Sequence, residues 1–157
     1  MNKLLKLFLA VFICEGVGIL GSIFTIPAIT TWYQTLNKPV FSPPNYVFGP
    51  VWTTLYALMG ISIFLILEKK IKLKEKHYLI YLFSWQLLLN FLWSVIFFYF
   101  HFPLLAFLEI ILLWGSILLL IINFWKYSKT ASYLLVPYLL WVSFASLLNA
   151  AIVILNK

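Results

Sequence analysis

The residues best equipped for chemistry in this chain are aromatic rings set at helical spacing beside a few polar groups. Trp52 and Tyr56 lie four apart, and Trp141, Ala145 and Asn149 repeat every four residues. Gln86, Asn90, Ser94 and Phe97 follow at i, i+4, i+8 and i+11, with Trp93 beside them. In a helix of 3.6 residues per turn each set falls on one face. Large electron-rich rings with one or two hydrogen-bonding groups are what a pocket for a flat aromatic molecule requires. The same residue types also pin helices to one another, so spacing alone leaves both readings open.

Two further sets carry the only carboxylates inside apolar runs. Glu15, Gly18 and Ser22 fall at i, i+3 and i+7, and Glu109, Leu112 and Ser116 repeat that spacing. An acid at the bilayer centre costs about 2.5–3.5 kcal/mol on insertion scales, so both glutamates should face protein, water or a partner. Protonated structural residues and a proton relay are the two roles open to them. Gly18, Ser22 and Ser116 read as helix contacts, and Gly18-x-x-x-Ser22 equally as a dimer seam. Other chemistry is missing from the sequence: it has no Gly-rich phosphate loop, no Ser-His-Asp set and no Cys/His cluster. His77 and His101 stand 24 residues apart, about 36 Å along one helix, too far to share a metal. That leaves each an interfacial role or, singly, a bond to a haem-like iron. Cys14 is alone, which excludes a disulfide framework and makes it a small core residue.

The elements that position these residues follow from composition. Of 157 residues, 64% are hydrophobic and 10% charged, too few charges to cover a water-soluble domain. Aromatics reach 20%, more than two interfacial belts need, so some rings should line the interior. Five apolar runs are long enough to cross about 30 Å of hydrocarbon. They lie at about residues 7–27, 49–67, 78–100, 103–124 and 131–155, which predicts an all-α integral membrane bundle of five transmembrane helices in one domain. The first run, although preceded by Lys3 and Lys6, contains Glu15 and no small-x-small cleavage site, and reads as a helix rather than a signal peptide. Residues 28–48 are rich in Pro, Trp and Tyr, too apolar for a disordered linker, and should form an ordered loop capping the bundle. Residues 101–102 leave room only for a hairpin.

The net charge of +7 derives from eleven lysines without a single arginine. Nine of them fall on the N-terminal side of the predicted membrane, and Lys38 and Lys157 on the other. This asymmetry accounts for the basic charge as a topology signal rather than a nucleic-acid surface. It predicts a cytoplasmic N-terminus, with the first loop and the C-terminus outside.

Several stretches resemble the translocator protein family (TspO, or peripheral benzodiazepine receptor). Trp32-Tyr33-Gln34-Thr35-Leu36-Asn37-Lys38-Pro39, Pro43-Pro44 and Phe48-Gly49-Pro50-Val51-Trp52-Thr53-Thr54-Leu55-Tyr56 are similar to its W-Y-x-x-L-x-K-P…P-P…G-P-V-W-x-x-L-Y signature. Gln86-Leu87-x-Leu89-Asn90-x-x-Trp93 resembles its third-helix motif, and Pro137-Tyr138-Leu139-x-Trp141-x-x-Phe144-Ala145-x-x-Leu148-Asn149 its fifth. Gly21-Ser22 fits the first helix. The resemblance implies a five-helix bundle, often a homodimer, in a bacterial inner membrane. It implies binding of porphyrins such as protoporphyrin IX and of synthetic isoquinoline and benzodiazepine ligands, with no resident cofactor or metal. The family's pocket positions correspond to Tyr33, Trp52, Tyr56, Asn90, Trp93, Ser94, Phe97, Trp141 and Ala145. Bacterial members are associated with light-dependent oxidative degradation of protoporphyrin, and Trp52 and Trp141 match the tryptophans implicated. Animal members carry a sterol motif with Tyr and Arg after the Leu-Asn pair. Here Ala150-Ala151-Ile152-Val153-Ile154 follows, which points away from a sterol ligand and toward the bacterial type.

Three functions are compatible with this reading. The first is a membrane tetrapyrrole-binding sensor or scavenger with light-dependent porphyrin oxidation. The second is a transporter of porphyrins or other amphipathic small molecules, against which stand the missing internal repeat and coupling-ion site. The third is a regulatory interaction protein whose lysines recruit a partner or anionic lipid.

Overall fold

The computed structural model describes residues 2–157. Among them, five helices are long and apolar enough to cross a membrane. The chain is thus an all-α integral membrane bundle. Helix α1 spans Lys3–Ile29 and starts at Asn2, whose side-chain oxygen accepts the Leu4 N–H at 3.3 Å. Pro27 lies in its last turn and cannot donate to the Ile23 carbonyl one turn back. The Thr30 and Thr31 hydroxyls donate to the Pro27 carbonyl at 3.1 and 2.8 Å and close the helix end.

One turn, α2 (Trp32–Thr35), and a 3-10 turn (Asn45–Val47) punctuate the segment before α3 (Phe48–Leu67). Pro50 sits in the first turn of α3, where its missing N–H leaves no bond unmade. Helix α4 (Leu73–Ser94) runs into a π-helical turn, Val95–Tyr99, and His101 reverses the chain with φ 53°. Helix α5 spans Pro103–Trp125. The fifth crossing is broken where one continuous helix was expected. Its first part, α6 (Lys129–Tyr133), is separated from α7 (Val136–Leu155) by a turn at Leu134 and Leu135. Pro137 explains the break, because it cannot donate to the carbonyl four residues back.

Lipid is as apolar as leucine, so helices associate here through close packing and hydrogen bonds rather than water exclusion. Helix α1 lies on α3, where a Cβ on Gly60 would run into the Val11 backbone. The interior of α5 is Ala106, Ile110, Leu113, Ile117, Leu120 and Phe124, all nearly inaccessible. Leu112 was expected on that face and instead points outward, 64% exposed. The 3.6-residue period carries the buried line from Glu109 through Leu113 to Ser116 and Ile117, and the i+3 step to Leu112 falls off it.

Polar pins fasten the rest. Ser62 Oγ donates to the Ala131 carbonyl at 2.7 Å, Ser132 Oγ to the Ile121 carbonyl at 2.8 Å, and Trp114 Nε1 to Ser143 Oγ at 2.8 Å. At the lysine-rich end Lys6 Nζ donates to Glu68 Oε1 at 2.8 Å. That hydrogen bond holds the Glu68 carboxyl below the usual carboxylate range.

Candidate functional site

Near the end of the bundle that carries the first loop, α1, α3, α4 and α7 part around a cavity of about 440 Å³. Four helices and the loop supply its wall. From α3 come Phe48, Gly49, Trp52, Thr53 and Tyr56; from α4 and its π-helical turn come Asn90, Trp93, Ser94, Phe97 and Phe98. Helix α7 adds Trp141, Ala145, Leu148, Asn149 and Ile152, and the loop adds Tyr33, Asn45 and Tyr46. All nine residues singled out from the sequence are therefore brought to one cavity. Trp52 and Trp141, far apart in the chain, share it.

The rings are arranged in contact rather than scattered. Trp93 stacks on Phe97 with centroids 5.1 Å apart and planes 20° off parallel. Trp52 lies 5.7 Å from Tyr56 and meets Tyr138 edge-on at 6.2 Å. Trp141 meets Phe48 at 6.0 Å and Phe144 at 5.5 Å. Offset and edge-to-face contacts of this kind suit the aromatic quadrupole and hold each ring in place.

Two asparagines in the wall, Asn90 and Asn149, are held in hydrogen bonds. The Tyr56 hydroxyl donates to Asn90 Oδ1, and Asn90 Nδ2 donates to the Tyr138 hydroxyl at 2.7 Å. Asn90 thus couples α3 to α7 through α4. Trp93 Nε1 donates to Asn149 Oδ1 at 3.2 Å, and Asn149 Nδ2 donates to the Pro103 carbonyl at 2.8 Å. Buried polar groups tied in this way cost little and fix the positions of the rings around them.

Helix α1 has a part that spacing left open. Gly18 and Ser22 line the cavity. A Cβ on Gly18 would collide with the Tyr56 ring, and one on Gly21 would lie 3.4 Å from Ser94 Oγ. Gly18 therefore packs on Tyr56 of α3, and Ser22 lines the cavity one turn on. Glu15 lines the cavity beside them, whereas Glu109 is buried among the helices away from it.

Phe98 is one of the wall residues that sequence reasoning missed, with Tyr46 and Thr53. From Ser94, a regular helix brings position 97 or 98 inward, and the spacing selected Phe97. The π-helical turn widens the coil so that Phe97 and Phe98 are both buried, 4.9 Å apart and edge to face. The loop end is closed by Tyr33, buried against Phe97 and Phe98, and by Trp32, which stacks on His101 at 4.3 Å. Burial pushes the Tyr33 phenol above its usual range. His77 is exposed at the opposite end of α4.

The sequence profile described as TspO/MBR family matches residues 10–155. The tryptophan-rich protein TspO of Chlorobaculum tepidum is 45% identical over 157 residues, covering 99% of both chains. The protein of the same name from Archaeoglobus fulgidus is 42% identical, covering 98% of this chain and 99% of that one. The human translocator protein is 35% identical over 130 residues, 82% of this chain and 77% of its own. With five apolar helices, a tryptophan-lined cavity and a profile match over nearly its whole length, this chain belongs to the TspO/MBR family.

Proposed function

We propose that the cavity binds a flat tetrapyrrole of the protoporphyrin IX type and that the protein acts as a membrane sensor or scavenger of such molecules. The observation that carries this reading is the convergence of Trp52, Trp93 and Trp141 on one largely apolar cavity in which Asn90 and Asn149 are held by hydrogen bonds. Its volume lies within the range of small-molecule sites, and its wall offers ring faces and edges to a large planar ligand. Isoquinoline and benzodiazepine-type ligands meet the same requirements.

Light-dependent oxidation of the bound porphyrin is the activity we assign to the site, with Trp52 and Trp141 as the reacting residues. The light-excited porphyrin takes one electron from an indole held against it and passes it to dissolved dioxygen; the indole radical then recovers its electron from the macrocycle, so that porphyrin is oxidised, dioxygen is reduced and the indole is restored. Holding the two in contact supplies the proximity that a dilute encounter lacks. The first loop serves as a lid, supported by the packing of Trp32 and Tyr33 on the α4 end.

The test is an optical titration of purified protein with protoporphyrin IX in the dark, followed by illumination. A saturable spectral shift in the dark and protein-dependent bleaching in the light are expected. A shift without bleaching would reduce the protein to a binder, and no shift would overturn the reading. Light-independent porphyrin flux into sealed proteoliposomes would replace it with transport.

A further inference from the structure

The first loop is fastened to the bundle end, while exposed residues line one flank of the cavity. Asn37 N–H donates to Asn156 Oδ1 at 2.9 Å, and Asn156 Nδ2 returns a bond to the Asn37 carbonyl at 2.9 Å. This ties the first loop to the C-terminal end of α7. Lys38 Nζ donates to the Tyr33 and Leu36 carbonyls at 2.8 and 3.2 Å and folds the loop back on itself. Phe41 adds a ring contact to Phe144 at 6.3 Å. Opening this end means breaking several contacts together.

The flank between α1 and α3 is built differently. Toward the lysine-rich end the two helices touch backbone to backbone at Gly60 and Val11, and Gly18 lies against the Tyr56 ring. Ile19 and Ile26 of α1 both line the cavity and are each 64% exposed. Gly49 and Thr53 of α3 do the same, and a Cβ on Gly49 would meet open space. Exposed residues of the cavity wall mark the rim of an opening, whose loop-side edge is Asn45 and Tyr46. Its position on the apolar barrel, within two transmembrane helices, places that opening in hydrocarbon rather than water.

We infer that ligand enters sideways, from the half of the bilayer on the first-loop side, through a portal between α1 and α3. The inference rests on the cavity being the binding site. The molecule that uses such a route is a flat amphipathic aromatic already dissolved in the membrane, with its polar edge at the headgroups. Such a ligand reaches the site without crossing water and without opening the lid. The rim residues then set the rate of entry and exit, and the rings deeper in the cavity set affinity.

The experiment measures association and dissociation of protoporphyrin IX by stopped-flow absorbance, with the full chain in phosphatidylcholine nanodiscs. Thr53→Phe narrows the portal and Ile26→Ala widens it, while Asn156→Ala loosens the lid. We expect Thr53→Phe to slow both rates by about threefold or more and Ile26→Ala to speed both, since gating moves entry and exit together. Asn156→Ala should leave both unchanged. Acceleration by Asn156→Ala with no effect of either rim variant would overturn the portal in favour of entry under the loop. Absence of any binding in the unmodified protein would overturn the cavity as the site, and the portal with it. Far-ultraviolet circular dichroism of each variant confirms that the helices are intact, and Ile26→Ala carries the test should Thr53→Phe fail to fold.

Discussion

At the scale of single residues, the sequence exposed the aromatic wall because tryptophan and asparagine are conspicuous inside apolar runs. Trp52, Asn90, Trp93 and Trp141 were legible for that reason. Phe98 was not, because one phenylalanine among fifteen carries no mark, and a π-helical turn leaves none in the spacing. With any aromatic ring able to bind and only an indole able to react, the two roles should separate. Trp52→Phe and Trp141→Phe each keep an aromatic face and should weaken porphyrin binding by about 0.5–1.5 kcal/mol, roughly two- to tenfold. The same variants should lose most of the light-driven bleaching, measured in parallel, because phenylalanine is far harder to oxidise. Unchanged bleaching with intact binding would leave both tryptophans as packing. Asn90 has a structural task as well. Asn90→Leu strands the Tyr56 and Tyr138 hydroxyls and should cost about 1–3 kcal/mol of stability, read from unfolding in mixed micelles.

At the scale of elements, hydropathy located the five crossings because each is an uninterrupted apolar run between lysines or prolines. It missed the break between α6 and α7, since Leu134 and Leu135 are as apolar as their neighbours and only Pro137 hints at it. The Glu109, Leu112, Ser116 stripe failed for a related reason: with few polar residues to fix the phase, an i+3 step drifted onto the lipid face. The segment joining α1 to α3 offers a direct check of its role as a lid. Amides with partners, Gln34, Asn37, Ser42 and Val47, should exchange slowly with deuterium, and the exposed stretch around Val40 faster. Rapid exchange throughout residues 30–47 in folded protein would make the segment a mobile tether.

At the scale of the whole molecule, the charge pattern sets orientation and the helix packing sets where a ligand can sit. Nine lysines at one end against two at the other predict that end to be cytoplasmic. Single cysteines at Lys38→Cys and Lys72→Cys, treated with an impermeant maleimide in intact cells, should label at the first position only. Labelling at the second alone would invert the protein. The central claim is that the cavity among α1, α3, α4 and α7 is the place where porphyrin binds, and Ala145 gives the most direct access to it. Its methyl group lies on the cavity wall, half-buried, between Trp141 and Asn149 on one face of α7. Ala145→Phe puts a ring into that space without removing any hydrogen bond. The decisive measurement is the dissociation constant of protoporphyrin IX in the dark for the unmodified protein and for Ala145→Phe, with helicity verified for both. Saturable binding that weakens by about tenfold or more, a loss of about 1.4 kcal/mol, is the predicted result. Equal binding by the two folded proteins would place the porphyrin elsewhere and contradict the assignment.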